Sequence, residues 1–341
     1  MNRKPLGFTF NYFFVIFLHM IRIAIDTLGG DNGSAPIVDG ILEFLKDNKD
    51  VSIVAVGKKE ELKKLEGLCE IVDAPDIVPM EAGPLEVMRM KNSSMYKTVT
   101  LAKEGKVDAV VSSGSTGGFL SSSTLLLKTI PGVNRAAFIA PFPTKVKGHK
   151  VVILDIGASN ENSAEELRQF AVMGELYSEH ILGVENPKTY LLSNGTEPKK
   201  GSPVGKEAYK LLEATDSHFK GNIEARNALA GFADVVVTDG FTGNIFLKAS
   251  EGMAKMMSGM IKNAFKKNLW TKLGYLHVRK GMKEMSETMD YKSTGGAMLL
   301  GVNGVVVKVH GNADCYSTYC AIRVAKKLVE KDIANKIKDG I

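Results

Sequence analysis

Short apolar runs alternate along the chain with longer stretches in which apolar residues recur every three or four positions. Several of the runs, such as 151–154 and 235–237, carry no polar residue in their interior. That pattern is typical of strands buried on both faces of a sheet, because neither face of such a strand meets water. We predict strands at 22–26, 51–56, 70–73, 108–112, 137–140, 151–155, 189–193, 234–238 and 305–310.

The stretches between these runs carry residues that start helices. Four of them open with a hydroxyl or amide side chain that can accept a hydrogen bond from the first turn, or with a proline. These starts are Ser34 with Pro36, Asn92 or Ser93, Ser163 with Glu165 and Glu166, and Pro203. Such alternation of strands and helices predicts a three-layer, Rossmann-like α/β fold with a mostly parallel sheet. We expect a single catalytic domain, residues 21–341.

One stretch, about 245–290, has helical periodicity and no intervening strand. Two apolar stripes, with seven Met between 253 and 289, flank a connection at 268–275 that contains Trp270, the one Trp of the chain. Two amphipathic helices joined by a short connection form a helical hairpin. We expect this hairpin to project from the domain, and we call residues 245–290 the arm.

Positive charge is concentrated in the arm. The 341 residues include 44 Lys and Arg against 38 Asp and Glu, which gives a net charge of +6. Residues 255–283 hold eight basic and no acidic residues, so this segment carries +8 and the rest of the chain −2. A protein that coats nucleic acid usually spreads its basic residues over a face or a tail. We therefore expect no nucleic acid, and predict an anionic lipid surface or an acidic protein as the partner of the arm.

The first 20 residues differ from the rest. Arg3 and Lys4 precede an apolar run at 8–18, which is shorter than the roughly 20 residues that span a bilayer. A signal peptide is one interpretation, but no small-x-small cleavage site follows the run. We favour the other, in which residues 1–20 are a non-core extension from an upstream start and Met20 is the natural first residue. Three cysteines without a CxxC pair fit a reducing cytoplasm, with no disulfide framework.

Four loops that directly follow predicted strands combine glycines with short polar residues. They are 26–32, 112–118, 155–160 and 239–244. Ligands of open α/β sheets bind beyond the carboxyl ends of the strands, so we predict that the four loops bind substrate in one pocket. The predicted contacts are Asp26, Gly29, Gly30, Asp31, Asn32, Ser113, Gly114, Ser115, Thr116, Gly117, Asp155, Asn160, Asp239 and Thr242.

Loop 112–118 has the clearest chemistry. Its glycines let backbone N–H groups turn toward one point, and the helix that follows adds a partial positive charge, as in phosphate sites. A plain helix cap is the alternative. Lys91 is a second candidate for phosphate contact and His310 for ligand contact or proton transfer, although a solvated lysine and a structural histidine explain them too. For the four acidic residues of these loops we favour a structural role of at least two over a magnesium site.

Several motifs are absent from the sequence. No GxGxxG follows the first strand, and 201–206 is one residue short of a GxxxxGK[ST] loop, so neither a dinucleotide fold nor a P-loop is supported. Without GxSxG or HExxH, the usual patterns of a serine acyl-enzyme and a zinc protease are missing. We expect the reaction to use no cofactor and no metal.

Together the loops resemble those of the bacterial PlsX family of phosphate acyltransferases. Two positions depart from the family pattern: Ser115 stands where Asn is usual, and Glu224-Ala-Arg-Asn227 replaces Glu-Gly-Arg-Asp. The similar segments run in order between residues 21 and 328, at 23–32, 91–95, 112–118, 154–158, 169–174, 221–224, 239–244, 295–304 and 310–311.

The resemblance implies a fold similar to the isocitrate/isopropylmalate dehydrogenases and the phosphotransacetylases, in a cytoplasmic homodimer peripherally associated with the membrane. It implies that inorganic phosphate attacks acyl-acyl-carrier-protein directly and yields acyl phosphate for phospholipid synthesis. Lys91 and His310 would then be catalytic, and Asn244 or Asn303 would donate to the oxyanion. The arm would meet carrier protein or lipid through Lys266, Lys267, Leu269, Trp270, Lys272, Leu273, Arg279 and Lys280.

Alternatives stay open at this point. A phosphotransacetylase-like enzyme of the same fold would use CoA as the acyl donor. A non-catalytic, membrane-associated scaffold is the second alternative, and Ser115 is the one hint of it. For the arm, the alternative is that its apolar stripe packs against a partner subunit while its lysines are solvated.

Overall fold

The computed structural model describes residues 20–288 and 291–341, so the predicted extension lies outside the described residues except for Met20. The strands are β1 (Ile21–Asp26), β2 (Val51–Gly57), β3 (Glu70–Asp73), β4 (Ala109–Ser112), β5 (Ala137–Pro143), β6 (Lys150–Leu154), β7 (Thr189–Ser193), β8 (Phe219–Glu224), β9 (Val235–Val237), β10 (Ala297–Leu300) and β11 (Val305–Lys308). The helices are α1 (Ala35–Asp47), α2 (Pro84–Arg89), α3 (Ser94–Lys103), α4 (Thr116–Leu127), α5 (Ala164–Tyr177), α6 (Pro203–Thr215), α7 (Gly240–Lys266), α8 (Leu269–Thr288), α9 (Cys315–Glu330) and α10 (Ile333–Gly340).

All the strands form one mostly parallel sheet, in the order β3-β2-β1-β4-β11-β10-β5-β6-β9-β7-β8. Strands β1 to β4 and β11 run in one direction. The middle strands β10, β5 and β6 pair antiparallel with their neighbours, and β9, β7 and β8 then follow the direction of β6. The two flanks of the sheet therefore point in opposite directions. We call the edge where β1, β4 and β11 end the upper edge, and the edge where β6 and β9 end the lower edge.

Helices cover both faces of the sheet, as the unbroken apolar runs predict. In β1, Ile23 and Ile25 pack into a core on one face with helices α1, α5, α6, α9 and α10, while Ala24 packs on the other face with α2, α3 and α4. Successive side chains of a strand point to opposite faces, so a strand between two helical layers is apolar at every position.

Most predicted strands and all four predicted helix starts are confirmed. Ser163 and Glu166 form a reciprocal capping box, and Ser93 accepts a hydrogen bond from the N–H of Tyr96. The analysis missed two strands. Strand β8 has the sequence FKGNIE and lies at the outer end of the sheet, where polar positions face water. Strand β10 has four residues, too few for a periodic pattern.

Helix α7 starts at the lower edge and passes over the sheet, where the rings of Phe246 and Phe142 lie 5.8 Å apart. Its far end contacts α8 through Phe265 and Tyr275, whose ring centroids lie 5.3 Å apart. The stretch predicted to hold the arm is thus helical on both sides of a short connection at 267–268. The connection predicted at 268–275 is wrong, because residues 269–275 already belong to α8. Among the described residues, no helix combines the length and the apolar character needed to cross a membrane.

Candidate active site

At the upper edge, three loops lie close enough to form one surface. The N–H of Asp31 donates to the carbonyl oxygen of Gly311 at 2.7 Å, which joins the loop after β1 to the segment after β11. A Cβ on Gly29 would lie 2.4 Å from the Cα of Gly114, so only glycine lets the first loop touch the loop after β4. The Asn32 side chain donates to the carbonyl oxygen of Ala313 at 3.1 Å. The predicted residues of the first two loops therefore do lie together.

A row of polar side chains crosses the strands below these loops. Asp26 pairs with Ser112, and Ser112 with Lys308, in the register of the parallel strands β1, β4 and β11. Residues side by side in adjacent strands point to the same face, so these three side chains share the face that carries α3 and α4. We call them, with Ser113 and Gly29 to Gly30, the upper-edge cluster.

Asp26 orders this cluster from within. It is buried, and it accepts hydrogen bonds from the hydroxyl of Ser112 at 2.7 Å and from the N–H of Leu28 at 3.2 Å. The Ser112 hydroxyl in turn accepts from the N–H of Gly114 at 3.1 Å. Burial raises the pKa of Asp26, and the hydrogen bonds from Ser112 and Ser94 oppose that rise. Asp26 thus fixes the shape of both loops.

Lys308 is the member that the sequence analysis did not single out. Its side chain is 7% exposed, and its ammonium group donates to the carbonyl oxygen of Val309. Burial lowers the pKa of Lys308 to about 8, against the nearby charges of Asp26 and Asp31, which raise it. A lysine at the end of an apolar run does not by itself indicate a functional residue. The strand register places Lys308 beside Ser112, and this position makes it a candidate for the site.

Ser113 completes the case for a bound ligand. Its hydroxyl is buried and has no hydrogen-bond partner in the described part of the chain. A Cβ on Gly30 would lie 2.8 Å from that hydroxyl, so the glycine leaves the space beside it open. An unpaired buried hydroxyl and a buried ammonium are both costly in the absence of a partner. An anion that accepts from the Ser113 hydroxyl satisfies that donor, and the positive charge of Lys308 at the same edge favours its binding.

The start of α4 adds positive potential at the same edge. Thr116 and Gly117 lie exposed in its first turn, where N–H groups have no intrahelical partner. Ser115, in contrast, accepts from the N–H of Gly118 at 3.3 Å and donates to the carbonyl oxygen of Met80 at 3.0 Å. Its hydroxyl thus caps α4 and ties the loop to Met80, and its predicted substrate contact stays a prediction.

The loops after β6 and β9 lie at the lower edge, so the four loops do not come together at one edge of this chain. The reason is the reversal of direction at β10, β5 and β6, which strand–helix alternation does not reveal. The predicted substrate contacts Asp155, Asn160, Asp239 and Thr242, and the predicted oxyanion donor Asn244, all fall at this second edge. We call them the lower-edge cluster.

Asp155 is satisfied inside the lower-edge cluster. It accepts from the N–H groups of Phe138, Gly157 and Ala158 at 2.9 to 3.1 Å and from the N–H and hydroxyl of Ser159 at 2.9 and 2.7 Å. Burial raises its pKa, and these hydrogen bonds oppose the rise. No acceptor capacity of this carboxylate faces an open space.

The other lower-edge residues also have local roles. Asp239 caps α7 through the N–H and the hydroxyl of Thr242, both at 2.8 Å, and Asn244 packs against Gly157. Asn303, in the turn between β10 and β11, donates to the carbonyl oxygens at the end of α4, those of Leu127, Lys128 and Thr129. These contacts correct the predicted oxyanion role of Asn303, which ties down a helix end instead.

The two remaining catalytic candidates are on the upper side. Lys91 is exposed and lies three residues before Ser94, whose side chain reaches Asp26. His310 is exposed directly beyond β11, and its Nδ1 accepts from the N–H of Asn312 at 3.4 Å. Both therefore lie within the chain segments that build the upper-edge cluster.

A groove of about 1020 Å³ begins at His310 and Asn312 and continues between α7 and α8. Its apolar lining includes Ile261, Phe265, Tyr275, Met282 and Met285, and its basic lining includes Lys248, Lys255, Lys262, Lys266 and Lys272. The groove thus runs from the segment directly after β11 into an apolar channel with a positively charged border.

Comparison with known proteins places this geometry in a family. A family model described as "Fatty acid synthesis protein" matches residues 21–336. A phosphate acyltransferase of Exiguobacterium sp. is 40% identical over 325 residues, 93% of this chain and 98% of that protein. One of Fervidobacterium nodosum is 42% identical over 332 residues, with 94% and 98% covered. The chain belongs to the phosphate acyltransferase family. Both edge clusters and the arm lie within the part that matches this family.

Solved structures of other enzymes share the fold of this phosphate acyltransferase family member. A phosphotransacetylase of Streptococcus pyogenes superposes with a TM-score of 0.60 at 20% identity, covering 91% of this chain and 94% of that one. A 4-hydroxythreonine-4-phosphate dehydrogenase of Klebsiella pneumoniae gives a TM-score of 0.50 at 13% identity, covering 91% and 98%. At these identities the likeness concerns the fold alone.

Proposed function

We propose that this phosphate acyltransferase transfers an acyl group from acyl carrier protein to inorganic phosphate, and so supplies acyl phosphate for phospholipid synthesis. The observation that carries the proposal is the buried hydroxyl of Ser113, which has no hydrogen-bond partner among the described residues and lies in the loop that leads into α4. The buried Lys308 of the neighbouring strand β11 adds a positive charge at the same edge of the sheet. These groups offer a donor, a charge and free N–H groups to one tetrahedral anion.

The reaction needs no protein nucleophile. A phosphate oxygen held at Ser113 and Lys308 attacks the thioester carbonyl carbon, and the new C–O bond forms as the carbonyl becomes an oxyanion. The C–S bond then breaks, and the carrier thiolate leaves with the electron pair. Oxyanion donors must come from the upper edge, so we assign this role to backbone N–H groups of loop 112–118, with Lys91 and His310 beside the reacting groups.

The groove between α7 and α8 suits the acyl donor. Its apolar lining matches an acyl chain, and its lysines match an acidic carrier protein. Because the groove begins at His310, a chain lying in it brings its thioester end to the upper-edge cluster. This continuity favours acyl carrier protein over CoA as the donor.

We further propose that residues 21–341 form one catalytic domain of the isocitrate/isopropylmalate dehydrogenase type, with the arm projecting beyond the upper edge. Trp270 is 81% exposed and Leu269 70%, at the turn between α7 and α8 and next to Lys266 and Lys267. Exposed apolar residues flanked by basic ones suit the interface of an anionic membrane, at about 1 kcal/mol per basic residue. Leu273, Arg279 and Lys280 extend the same surface.

The protein then works in the cytoplasm as a homodimer, peripherally associated with the membrane. The exposed Met residues of α7, at 253, 256, 257 and 260, suit packing against a partner subunit. Lipid contact at the turn and subunit contact along α7 are compatible, because they use different parts of the arm.

The proposed reaction is tested with purified protein, acyl-acyl-carrier-protein and phosphate. Hydroxylamine traps acyl phosphate as a hydroxamate, which we expect only when phosphate is present. A parallel assay with acyl-CoA distinguishes the donors: a clear preference for CoA would make the protein a phosphotransacetylase-like enzyme. No hydroxamate with either donor would favour the non-catalytic scaffold.

Membrane contact is tested by flotation with liposomes that contain anionic lipid. We expect Trp270→Ala combined with Lys266→Gln and Lys267→Gln to reduce binding to the liposomes. Because Lys266 also lines the groove, turnover in solution should persist when acyl-acyl-carrier-protein is saturating. The matched control is Lys199→Gln with Lys200→Gln, which removes two exposed charges from another surface. Equal loss of binding in both variants, or no loss in either, would exclude a specific role of the turn.

A further inference from the structure

A second group of polar side chains lies on the opposite flank of the sheet, near the start of β7 and β8. Glu175 comes from α5, Asp216 ends α6 and His218 precedes β8. One ligand atom from each of the three lies within 4.8 Å of the other two. The Nδ1 atom of His218 is 3.4 Å from an oxygen of Glu175 and 3.9 Å from one of Asp216.

The hydrogen bonds of this group leave one oxygen unpaired. Asp216 Oδ1 accepts from the N–H of His218 at 2.8 Å, but Oδ2 is buried with no hydrogen-bond partner among the described residues. The Asp216 side chain is 7% exposed and that of Glu175 13%. Glu175 Oε1 accepts from the hydroxyl of Thr189, so its Oε2 is the oxygen that faces His218.

The largely buried carboxylates of Glu175 and Asp216 lie beside a histidine, and burial, with the nearby charge of Asp216, raises the pKa of Glu175 to about 8. A proton or a cation must therefore lie between the two carboxylates. Like charges in a site with little solvent repel each other strongly unless a positive charge lies between them. Carboxylate oxygens and an imidazole nitrogen are the donor set of divalent transition-metal ions, Zn²⁺ among them. The His218 side chain is 37% exposed, which leaves a route from solvent and room for water as a further ligand.

We propose that the carboxylates of Glu175 and Asp216 and the Nδ1 atom of His218 bind one divalent transition-metal ion. The site joins α5 to the segment between α6 and β8. Strand β8 pairs with β7 alone among the described strands, and that pairing shifts register between Thr189 and Leu191. The ion fixes the entry to this outer strand and takes no part in the acyl transfer, because the upper-edge cluster lies on the other flank.

Calorimetric titration of the full-length, chelator-treated protein with Zn²⁺ tests the proposal. We expect one site per chain, and a melting temperature that rises with the Zn²⁺ concentration because the ion binds the folded state. Loss of a residue that only hydrogen-bonds to a metal ligand typically weakens metal binding by roughly 10- to 100-fold. His218→Ala removes a ligand itself and should weaken Zn²⁺ binding by at least that much. Because His218 is partly exposed, this variant is expected to fold.

Two further variants separate a specific site from surface binding. Asp216→Asn should weaken Zn²⁺ binding as His218→Ala does. His277→Ala removes an exposed imidazole on α8 and should leave the affinity unchanged. The proposal is overturned if Zn²⁺ binds none of the proteins, or binds the wild type and the His218→Ala variant equally. Anomalous diffraction from a Zn²⁺-soaked crystal, with the signal elsewhere, would also overturn it.

Discussion

The upper and lower edges of the sheet share a sequence pattern but differ in the hydrogen bonds that its residues make. In each, an aspartate follows a buried strand and precedes a loop of glycines and small polar residues, with Asp26 at the upper edge and Asp155 at the lower edge. Asp26 accepts from three partners that shape neighbouring segments, Ser112, Leu28 and Ser94. Asp155 accepts five hydrogen bonds from its own surroundings. The two edges differ in whether they can bind a ligand, because they differ in which hydrogen-bond donors and charges lack a partner within the chain.

At the lower edge the Asp155 carboxylate is fully engaged by its own surroundings. A Cβ on Gly240 would lie 2.4 Å from Asp155 Oδ2, so α7 closes directly over the carboxylate. At the upper edge the hydroxyl of Ser113 is unpaired and Lys308 is buried with its charge. A glycine-rich loop after a strand thus indicates that two backbone segments come close together. Whether a ligand also binds there depends on whether donors or acceptors in the loop remain without a partner.

The largest expected effect is that of Lys308→Met on activity. Met keeps the length and apolar stem of the side chain but removes the charge that faces phosphate. We expect kcat/KM for phosphate to fall by about 10²- to 10³-fold, the typical cost of losing one electrostatic donor in a reacting site. Steady-state kinetics with varied phosphate measures this change.

Thermal unfolding provides the control for that variant. Burial of the lysine charge is unfavourable, so the melting temperature of Lys308→Met should stay the same or rise. A stable variant with full activity would remove Lys308 from the phosphate site. A variant that loses activity only because it unfolds would place Lys308 with the structural residues.

The opposite result is expected for Asp155→Asn. In the wild type the carboxylate of Asp155 accepts hydrogen bonds from several N–H donors. The amide nitrogen of the substituted side chain would face some of these donors and could not accept from them, so the free energy of unfolding should fall by about 3 kcal/mol or more. Denaturant titration measures the loss. The KM for phosphate of the remaining folded enzyme should be unchanged, and a large rise in that KM would bring the lower-edge cluster back into the substrate site.

A pair of glycine variants sharpens the same contrast. In Gly243→Ala the new Cβ would lie 1.8 Å from the carbonyl oxygen of Asp155, and in Gly29→Ala 2.4 Å from the Cα of Gly114. Overpacking of this kind costs about 1–3 kcal/mol. We expect both variants to melt earlier, but only Gly29→Ala to raise the KM for phosphate once measured on folded protein. Equal effects on KM would argue that the edges are coupled.

The pH dependence of phosphate use should reflect Lys308. Its pKa of about 8 means that the ammonium is charged below that pH and neutral above it. Bound phosphate favours the charged form, so above pH 8 binding must take up a proton, and affinity should fall by up to about tenfold per pH unit. The Lys308→Met variant serves as the control and should lack this decline. A wild-type KM that stays flat above pH 8 would contradict the assignment.

The smallest effects concern exposed groups. Thr116→Val and Lys91→Ala should each raise the KM for phosphate by about fivefold, which corresponds to the net 1 kcal/mol of a single hydrogen bond. Kinetics at fixed pH and salt measures both. If neither variant changes the KM for phosphate, loop 112–118 with Lys91 is not the phosphate site.

Local physics made much of the fold predictable from the sequence. The run 151–154 predicts a strand covered on both faces, and Ser163 with Glu166 predicts a helix start. Both predictions succeed because these features depend on residues that are neighbours in the chain. The direction of each strand depends on partners far away. Without it the loops at 112–118 and 155–160 look equivalent, and Lys308 looks like an ordinary residue at the end of an apolar run.

The position of β11 has a consequence for how the protein is made. This strand comes near the end of the chain and inserts between β4, which is synthesised almost 200 residues earlier, and β10. Pairings over such separations close late, because a long loop must first be ordered. Until then β4 and β10 present unpaired edges that can associate with other chains. A nascent or truncated chain that ends before Val305 would therefore be prone to aggregate. It would also be inactive, because the insertion of β11 both completes the sheet and brings Lys308 into the upper-edge cluster.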